Sequence, residues 1–159
     1  MWANLHSHTD ASLLDGLSKP EQVIARCASV GIPATAITDH GTISNTVAFM
    51  KAKKNVIQKL DRQKKKITDA KILDEIDAKI DRVKKLKQLL GCEYYIEDEA
   101  TVNSHLVVLA KNKEGWKSLI KSTGEASRKE NFYRKPRLKL EQFAEYANGN
   151  LVTFSGHMG

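Results

Sequence analysis

Apolar positions in this chain follow two alternating rhythms, a short-strand period and a helical one, and the alternation is broken once by a long charged stretch. Residues 2–8 read as a short strand that ends in polar side chains. Ser18-Lys19-Pro20-Glu21 has the form of a helix start, with Ser18 as N-cap, Pro20 in the first turn and Glu21 closing a capping box. Val23, Ile24, Cys27 and Ala28 then share one helical face, and Gly31 with Pro33 ends it. Residues 34–38 form a short apolar run, expected as a buried strand that delivers Asp39-His40-Gly41 to its C-terminal end. A strand–helix–strand unit of this kind implies an α/β fold with a mostly parallel sheet.

The rhythm changes between residues 45 and 90. Val56, Ile57, Leu60 and Ile67 lie on one helical face, and Leu73, Ile76, Ile80, Val83 and Leu90 follow a near-heptad spacing with Lys87 in the remaining core slot. Thr68-Asp69 between them supplies a turn and an N-cap. Two antiparallel helices result, a charged hairpin over 51–90 projecting from the body as an insertion. The alternation then resumes. Residues 92–96 read as a strand carrying Glu93, and 105–110 (HLVVLA) as an apolar strand opened by a histidine. Residues 112–128 read as a helix with Trp116, Leu119 and Ile120 inward, and 139–146 as a shorter helix. A strand over 151–154 hands off to Ser155-Gly156-His157, close to the last residue, Gly159. An end directly after a strand and a loop points to a truncated or split chain.

Charge adds a location rather than a class. Of 26 basic residues 14 fall within 51–90, with only 6 of the 19 acidic ones, so the excess positive charge belongs to the hairpin and the rest is near neutral. Such a segment can attract phosphate backbones or be a solvated lysine-rich face. No run of apolar residues is long enough to span a bilayer, and the first residues lack the basic-then-apolar pattern of a secretion signal. Cys27 and Cys92 show no framework spacing, so reduced thiols in a cytoplasmic protein are expected.

The chemistry concentrates at strand ends. In His6-Ser7-His8 the two imidazoles, two residues apart on an extended chain, can face one metal ion. His40 and His157 also fall at expected strand ends and His105 at a strand start, while the basic hairpin has no histidine. Asp15, Asp39 and Glu93 flank these positions. Glu93 opens a run of Tyr94, Tyr95 and Ile96, where a charge needs a partner. Each has an ordinary alternative: Asp15 before Gly16 and His40 before Gly41 as turn residues, His105 as a satisfied core histidine. Mixed imidazole and carboxylate donors suit Zn, Mn or Fe, and several such ions are the usual apparatus of phosphoester hydrolysis.

The runs LHSHTDASLLDG, AITDHG, GCE, HLVVLAKNKEG, KPR and LVTFSGH resemble the PHP (polymerase and histidinol phosphatase) domain, in the version at the N-terminus of bacterial replicative DNA polymerase alpha subunits. The likeness covers residues 3–50 and 91–159, so the chain reads as the N-terminal part of a PHP domain. It implies a distorted (β/α)7 barrel, incomplete at the C-terminus, with two or three divalent ions (Zn, Mn or Fe) at the C-terminal ends of the strands. Of nine ligand positions in the family, seven match residues here: His6, His8, Asp15, His40, Glu93, His105 and His157. Glu93, His8 and Asp15 are those expected to carry catalysis, and Asp39 to orient His40 from behind. The last two ligands, an aspartate and a histidine, lie downstream of Gly159, which implies a fragment or a second polypeptide that completes the barrel.

Three functions follow from the resemblance. The first is a metal-dependent phosphoesterase, a 3′–5′ exonuclease acting on DNA made by the attached polymerase. The second is a metal-stabilised scaffold that holds the polymerase and docks a proofreading subunit. The third, a free-standing phosphatase of the histidinol phosphate type, sits poorly with the basic hairpin and the KPR run. The segment 131–137 mixes aromatic and basic residues as nucleic-acid grooves do, or is a surface loop. Expected partners are DNA and the remainder of the alpha subunit, in cis or as a second chain, and no membrane.

Overall fold

The computed structural model describes residues 2–97 and 104–156. Eleven elements follow one another: α1 (Pro20–Ser29), β1 (Ala34–Ile37), α2 (Thr46–Lys64), α3 (Ala70–Lys85), β2 (Lys87–Glu97), β3 (Ser104–Ala110), α4 (Lys113–Ala126), β4 (Phe132–Tyr133), β5 (Lys135–Lys139), α5 (Leu140–Ala144) and β6 (Leu151–Ser155). The sheet runs β4-β5-β2-β3-β6, with β1 against the first part of β2. It is mixed rather than mostly parallel. β1 and β5 pair parallel with β2, whereas β2–β3, β3–β6 and β4–β5 are antiparallel. For β2–β3 the reason is connection length: residues 98–103 are too few for a crossover helix, which needs about a dozen residues. The sheet is open among the described residues, so the fold is mixed α/β without a closed barrel.

Two cores flank this sheet. Ile24, Cys27 and Ala28 of α1 pack with Phe49, Ala52 and Val56 of α2, Val83 of α3 and Ile37 of β1. The hairpin helices therefore contribute their base to the main core, and only their far end projects. Their turn forms as expected, with the Asp69 carboxylate accepting from the backbone N–H of Lys71 and Ile72. Leu90 and Lys87 belong to β2 instead of the second helix. Leu86 leaves the helix buried, and Lys87 N–H donates to Pro33 O to start the ladder. On the other side Cys92, Tyr94, Ile96, Val108 and Leu138 meet Leu119 and Ala126 of α4 and Phe143 of α5. α4 turns Gly115, Ser118, Leu119 and Ser122 inward, while Ile120 is exposed. The small residues are needed because a Cβ on Gly115 would stand 2.1 Å from Asn150 O.

Two local expectations are corrected. The α1 N-cap is Lys19, whose N–H donates to the Gln22 side chain. Ser18 is held in the preceding loop, where its carbonyl accepts from Asp10 N–H. Residues 2–8 form no named strand. The segment runs parallel to β1 through one bridge, Asn4 with Thr35, then through the backbone bond from Thr38 N–H to Ser7 O and through side chains: Ser7 Oγ donates to Ala36 O, and Thr38 Oγ1 accepts from Ser7 N–H.

Candidate metal centre

Ser7 is turned toward β1, so His6 and His8 both face away from it, and each ring reaches Glu93. Glu93 is fully buried on β2, and its backbone bridges His40, which follows β1. Gly41 N–H donates to Glu93 O, and Glu93 N–H to Asp39 O, which seats the Asp39-His40-Gly41 turn beside the carboxylate. Asp15 arrives from a loop closed on itself by bonds from Asp15 and Gly16 N–H to Ser12 O. A Cβ on Gly16 would lie 1.9 Å from Thr9 O, so only glycine lets this loop fold so closely over the histidine segment.

The ring nitrogens converge. His6 Nε2 and His8 Nε2 stand 2.7 Å and 2.5 Å from Glu93 Oε2, and 3.2 Å from each other. His40 Nδ1 is 3.7 Å from that same oxygen, and His105 Nδ1 is 2.9 Å from Oε1. Asp15 Oδ2 meets His8 Nδ1 and lies 3.2 Å from His40 Nε2. Among the described residues three groups thus offer ligand atoms within 4.8 Å of one another: His6, His8 and Glu93; His8, Asp15 and His40; His40, Glu93 and His105. His157 lies outside the described residues.

This donor set fits divalent cations better than it fits itself. One carboxylate oxygen faces three imidazoles, and His40 Nδ1 is buried with no hydrogen-bond partner among the described residues. Burial opposes ionisation of Glu93, but hydrogen bonds from His8 and His6 and the nearby His40 outweigh it and hold the carboxyl at about 2. The bond to Glu93 raises the pKa of His8 against the opposing effect of burial, whereas burial lowers that of His40. An ionised carboxylate beside an imidazole that burial favours in its neutral form is the state that metal binding requires.

The PHP domain model matches residues 4–159. The chain belongs to the PHP domain family. Among curated proteins it is 31% identical over 160 residues to the DNA polymerase III subunit alpha of Borreliella burgdorferi, covering 94% of this chain and 11% of that protein. The namesake subunits of Thermus aquaticus and Chlamydia pneumoniae are 32% and 29% identical, over 99% and 98% of this chain and 12% and 11% of theirs. The chain thus spans about a tenth of the length of these relatives. A crystal structure of a provisionally assigned metal-dependent phosphoesterase from Bifidobacterium adolescentis superposes with a TM-score of 0.45 at 20% identity, over 77% of this chain and 33% of that one, a likeness too distant to decide the chemistry.

Within this PHP domain Asp39 works through the backbone and not through the His40 ring. Its buried carboxylate accepts from Thr9 N–H, Thr9 Oγ1 and Ser12 Oγ, and Ser12 Oγ in turn accepts from His40 N–H. The residue therefore ties the turn bearing His40 to the residue after His8.

Sequence reasoning missed Tyr95 and Gly156. Tyr95 stacks on His40 with centroids 5.2 Å apart and meets His105 edge-on at 4.9 Å. Its spacing of two from Glu93 on a strand was the available signal. A Cβ on Gly156 would fall 2.6 Å from Glu93 Oε1 and 2.8 Å from His105 Cβ, and Gly156 N–H donates to His105 O. The KPR run is a strand, β5, and its Pro136 sits over Gly41, where a Cβ would be 2.5 Å from Pro136 Cγ. No helix among the described residues is long and apolar enough to cross a membrane.

Proposed function

We propose that this PHP domain is a metal-dependent phosphoesterase of the 3′–5′ exonuclease type, acting on DNA in the N-terminal module of a replicative polymerase alpha subunit in the cytoplasm. The observation that carries the reading is the convergence of His6, His8, His40 and His105 on the buried Glu93, with Asp15 at the open side. His6, His8, Asp15, His40, Glu93, His105 and His157 are the proposed ligands of two or three ions, Zn, Mn or Fe. When bound, such ions supply positive charge to phosphoester oxygens and acidify water. Glu93 presents its two oxygens to different histidines, which suits it to join neighbouring ligand groups. Asp15 is half exposed and touches His8 and His40, so it is placed to take a proton from water entering at the mouth. Tyr95 holds the His40 and His105 rings at fixed angles and keeps that side of the centre dry. The open sheet is read as the first part of a (β/α)7 barrel, and 51–90 as a hairpin inserted within it.

The test pairs metal analysis of the purified chain with hydrolysis of primed DNA in added Mn or Zn. Retained metal and hydrolysis that both vanish in His8→Ala and Glu93→Gln support the reading; hydrolysis untouched by either variant refutes it. Retained metal that raises thermal stability without any turnover would favour the scaffold reading.

A further inference from the structure

Three of the four cations of the β4–β5 hairpin, Arg134, Lys135 and Arg137, lie against aromatic rings and are not used by the metal centre. Arg134 and Arg137 guanidinium carbons lie 5.5 Å and 5.1 Å from the Tyr133 ring centroid, and Lys135 Nζ lies 4.4 Å from that of Tyr95. Among the described residues none of the three is in a salt bridge with a carboxylate, although elsewhere on the surface Lys64, Lys84, Lys117 and Arg128 are so paired. Arg137 Nε is buried and has no hydrogen-bond partner among the described residues, while its Nη2 donates to Tyr133 O.

The hairpin also faces the right way. Arg137 pairs in register with Tyr95, and Leu138 with Ile96. Leu138, Ile96 and Tyr94 point into the core under α4, so by strand alternation Arg137, Lys135 and Tyr95 share the opposite face with Glu93. The Tyr95 ring that Lys135 covers is the one stacked on His40. Phe132 and Tyr133 are 50% and 62% exposed, large apolar rings left open at the tip. Unpaired cations interleaved with exposed aromatic rings are what a single-stranded nucleic acid takes, its phosphates on the cations and its bases on the rings.

We infer that the β4–β5 hairpin is the strand-binding subsite of the metal centre, with Lys135 and Arg137 holding phosphates next to the scissile one and Tyr133 stacking a base. The inference rests on the phosphoesterase reading and deepens it by assigning the DNA strand to named residues of one hairpin.

Binding of a labelled oligothymidylate to the 159-residue chain, read by fluorescence anisotropy in chelator across a salt series, isolates the contact from turnover. In Lys135→Ala/Arg137→Ala the slope of log affinity against log salt should shrink by roughly 1.4, about 0.7 for each phosphate contact on a single strand. Tyr133→Ala should weaken binding roughly tenfold. Should Arg137→Ala fail to fold by circular dichroism, the exposed pair Arg134→Glu/Lys135→Glu carries the same expectation. An unchanged slope and affinity overturns the inference. So does a loss that appears in Lys54→Ala/Arg62→Ala on α2 and not in the hairpin variants. Metal content and hydrolysis of a small phosphodiester are read separately: strand binding through the hairpin with no hydrolysis upholds the subsite and sinks the phosphoesterase reading.

Discussion

Replacing Asp39 by asparagine keeps the shape of the side chain and turns one acceptor oxygen into a donor. Three donors meet this buried carboxylate: Thr9 N–H at 2.5 Å and Ser12 Oγ at 3.2 Å on Oδ1, and Thr9 Oγ1 at 2.8 Å on Oδ2. Thr9 Oγ1 already accepts from Asn45 Nδ2 and Ala11 N–H, so its two lone pairs are engaged and its proton must go to Asp39. In the variant, whichever way the amide turns, an NH2 group faces a donor. A hydrogen bond to a charged group contributes roughly 1.5–3 kcal/mol, and a buried donor left without a partner costs about 1–3 kcal/mol. Asp39→Asn should therefore lower the unfolding free energy by roughly 2–4 kcal/mol, a fall in Tm of about 5–15 °C for a chain of this size. Denaturant unfolding in chelator measures this without any contribution from metal. Because Ser12 passes the constraint to His40 N–H, the same variant should bind metal more weakly in equilibrium dialysis. An unfolding free energy within about 0.5 kcal/mol of the parent chain would refute the network argument.

Glu93→Gln removes the charge on which four imidazoles converge, so the purified variant should retain less than a tenth of the parent's metal by mass spectrometry; full occupancy would show that Glu93 is no ligand. Gly156→Ala places a methyl 2.6 Å from Glu93 Oε1, and overpacking of this kind costs roughly 1–3 kcal/mol. Calorimetry should show it as a lowered Tm, together with lost metal; a neutral variant would mean that the segment after β6 yields freely. Lys64→Ala breaks an ion pair with Asp77 at the exposed end of the helical hairpin and should change stability by less than about 1 kcal/mol in urea, and a larger loss would mark that end as structural.

Most of what the sequence made legible was local. Asp69 has a side chain that caps α3 unaided, and Asn112 does the same for α4 through Gly115 N–H, so both helix starts could be read from residue type. The strand over 105–110 could be read because alternate positions serve two environments, His105 and Val107 toward Glu93 and Val108 under α4. Errors arose where a distant partner decided. Ser18 looks like an N-cap, but its carbonyl is taken by Asp10, and the helix begins one residue later. Lys87 fits a heptad slot, but Pro33 O claims its N–H for the sheet. Residues 2–8 carry the strand pattern but pair with β1 at a single bridge, because near Ser7 one backbone bond, Thr38 N–H to Ser7 O, is joined by side-chain bonds where further ladder bonds would stand.

The segment 131–137 shows the same limit from the functional side. Its composition allowed a nucleic-acid groove but favoured an ordinary surface loop slightly, because residue type fixes neither a face nor a neighbour. Register supplies the face that composition lacks. Pairing Arg137 with Tyr95 sets every other residue of β5 on the Glu93 side, and the fit of Pro136 against Gly41 fixes β5 beside the turn that carries His40. A one-residue slip would bury Arg137 under α4 and expose Leu138, at the cost of a buried unpaired cation, so the register is strongly held. The same contact that makes Gly41 intolerant of a side chain therefore holds Lys135 and Arg137 on the face that carries Glu93.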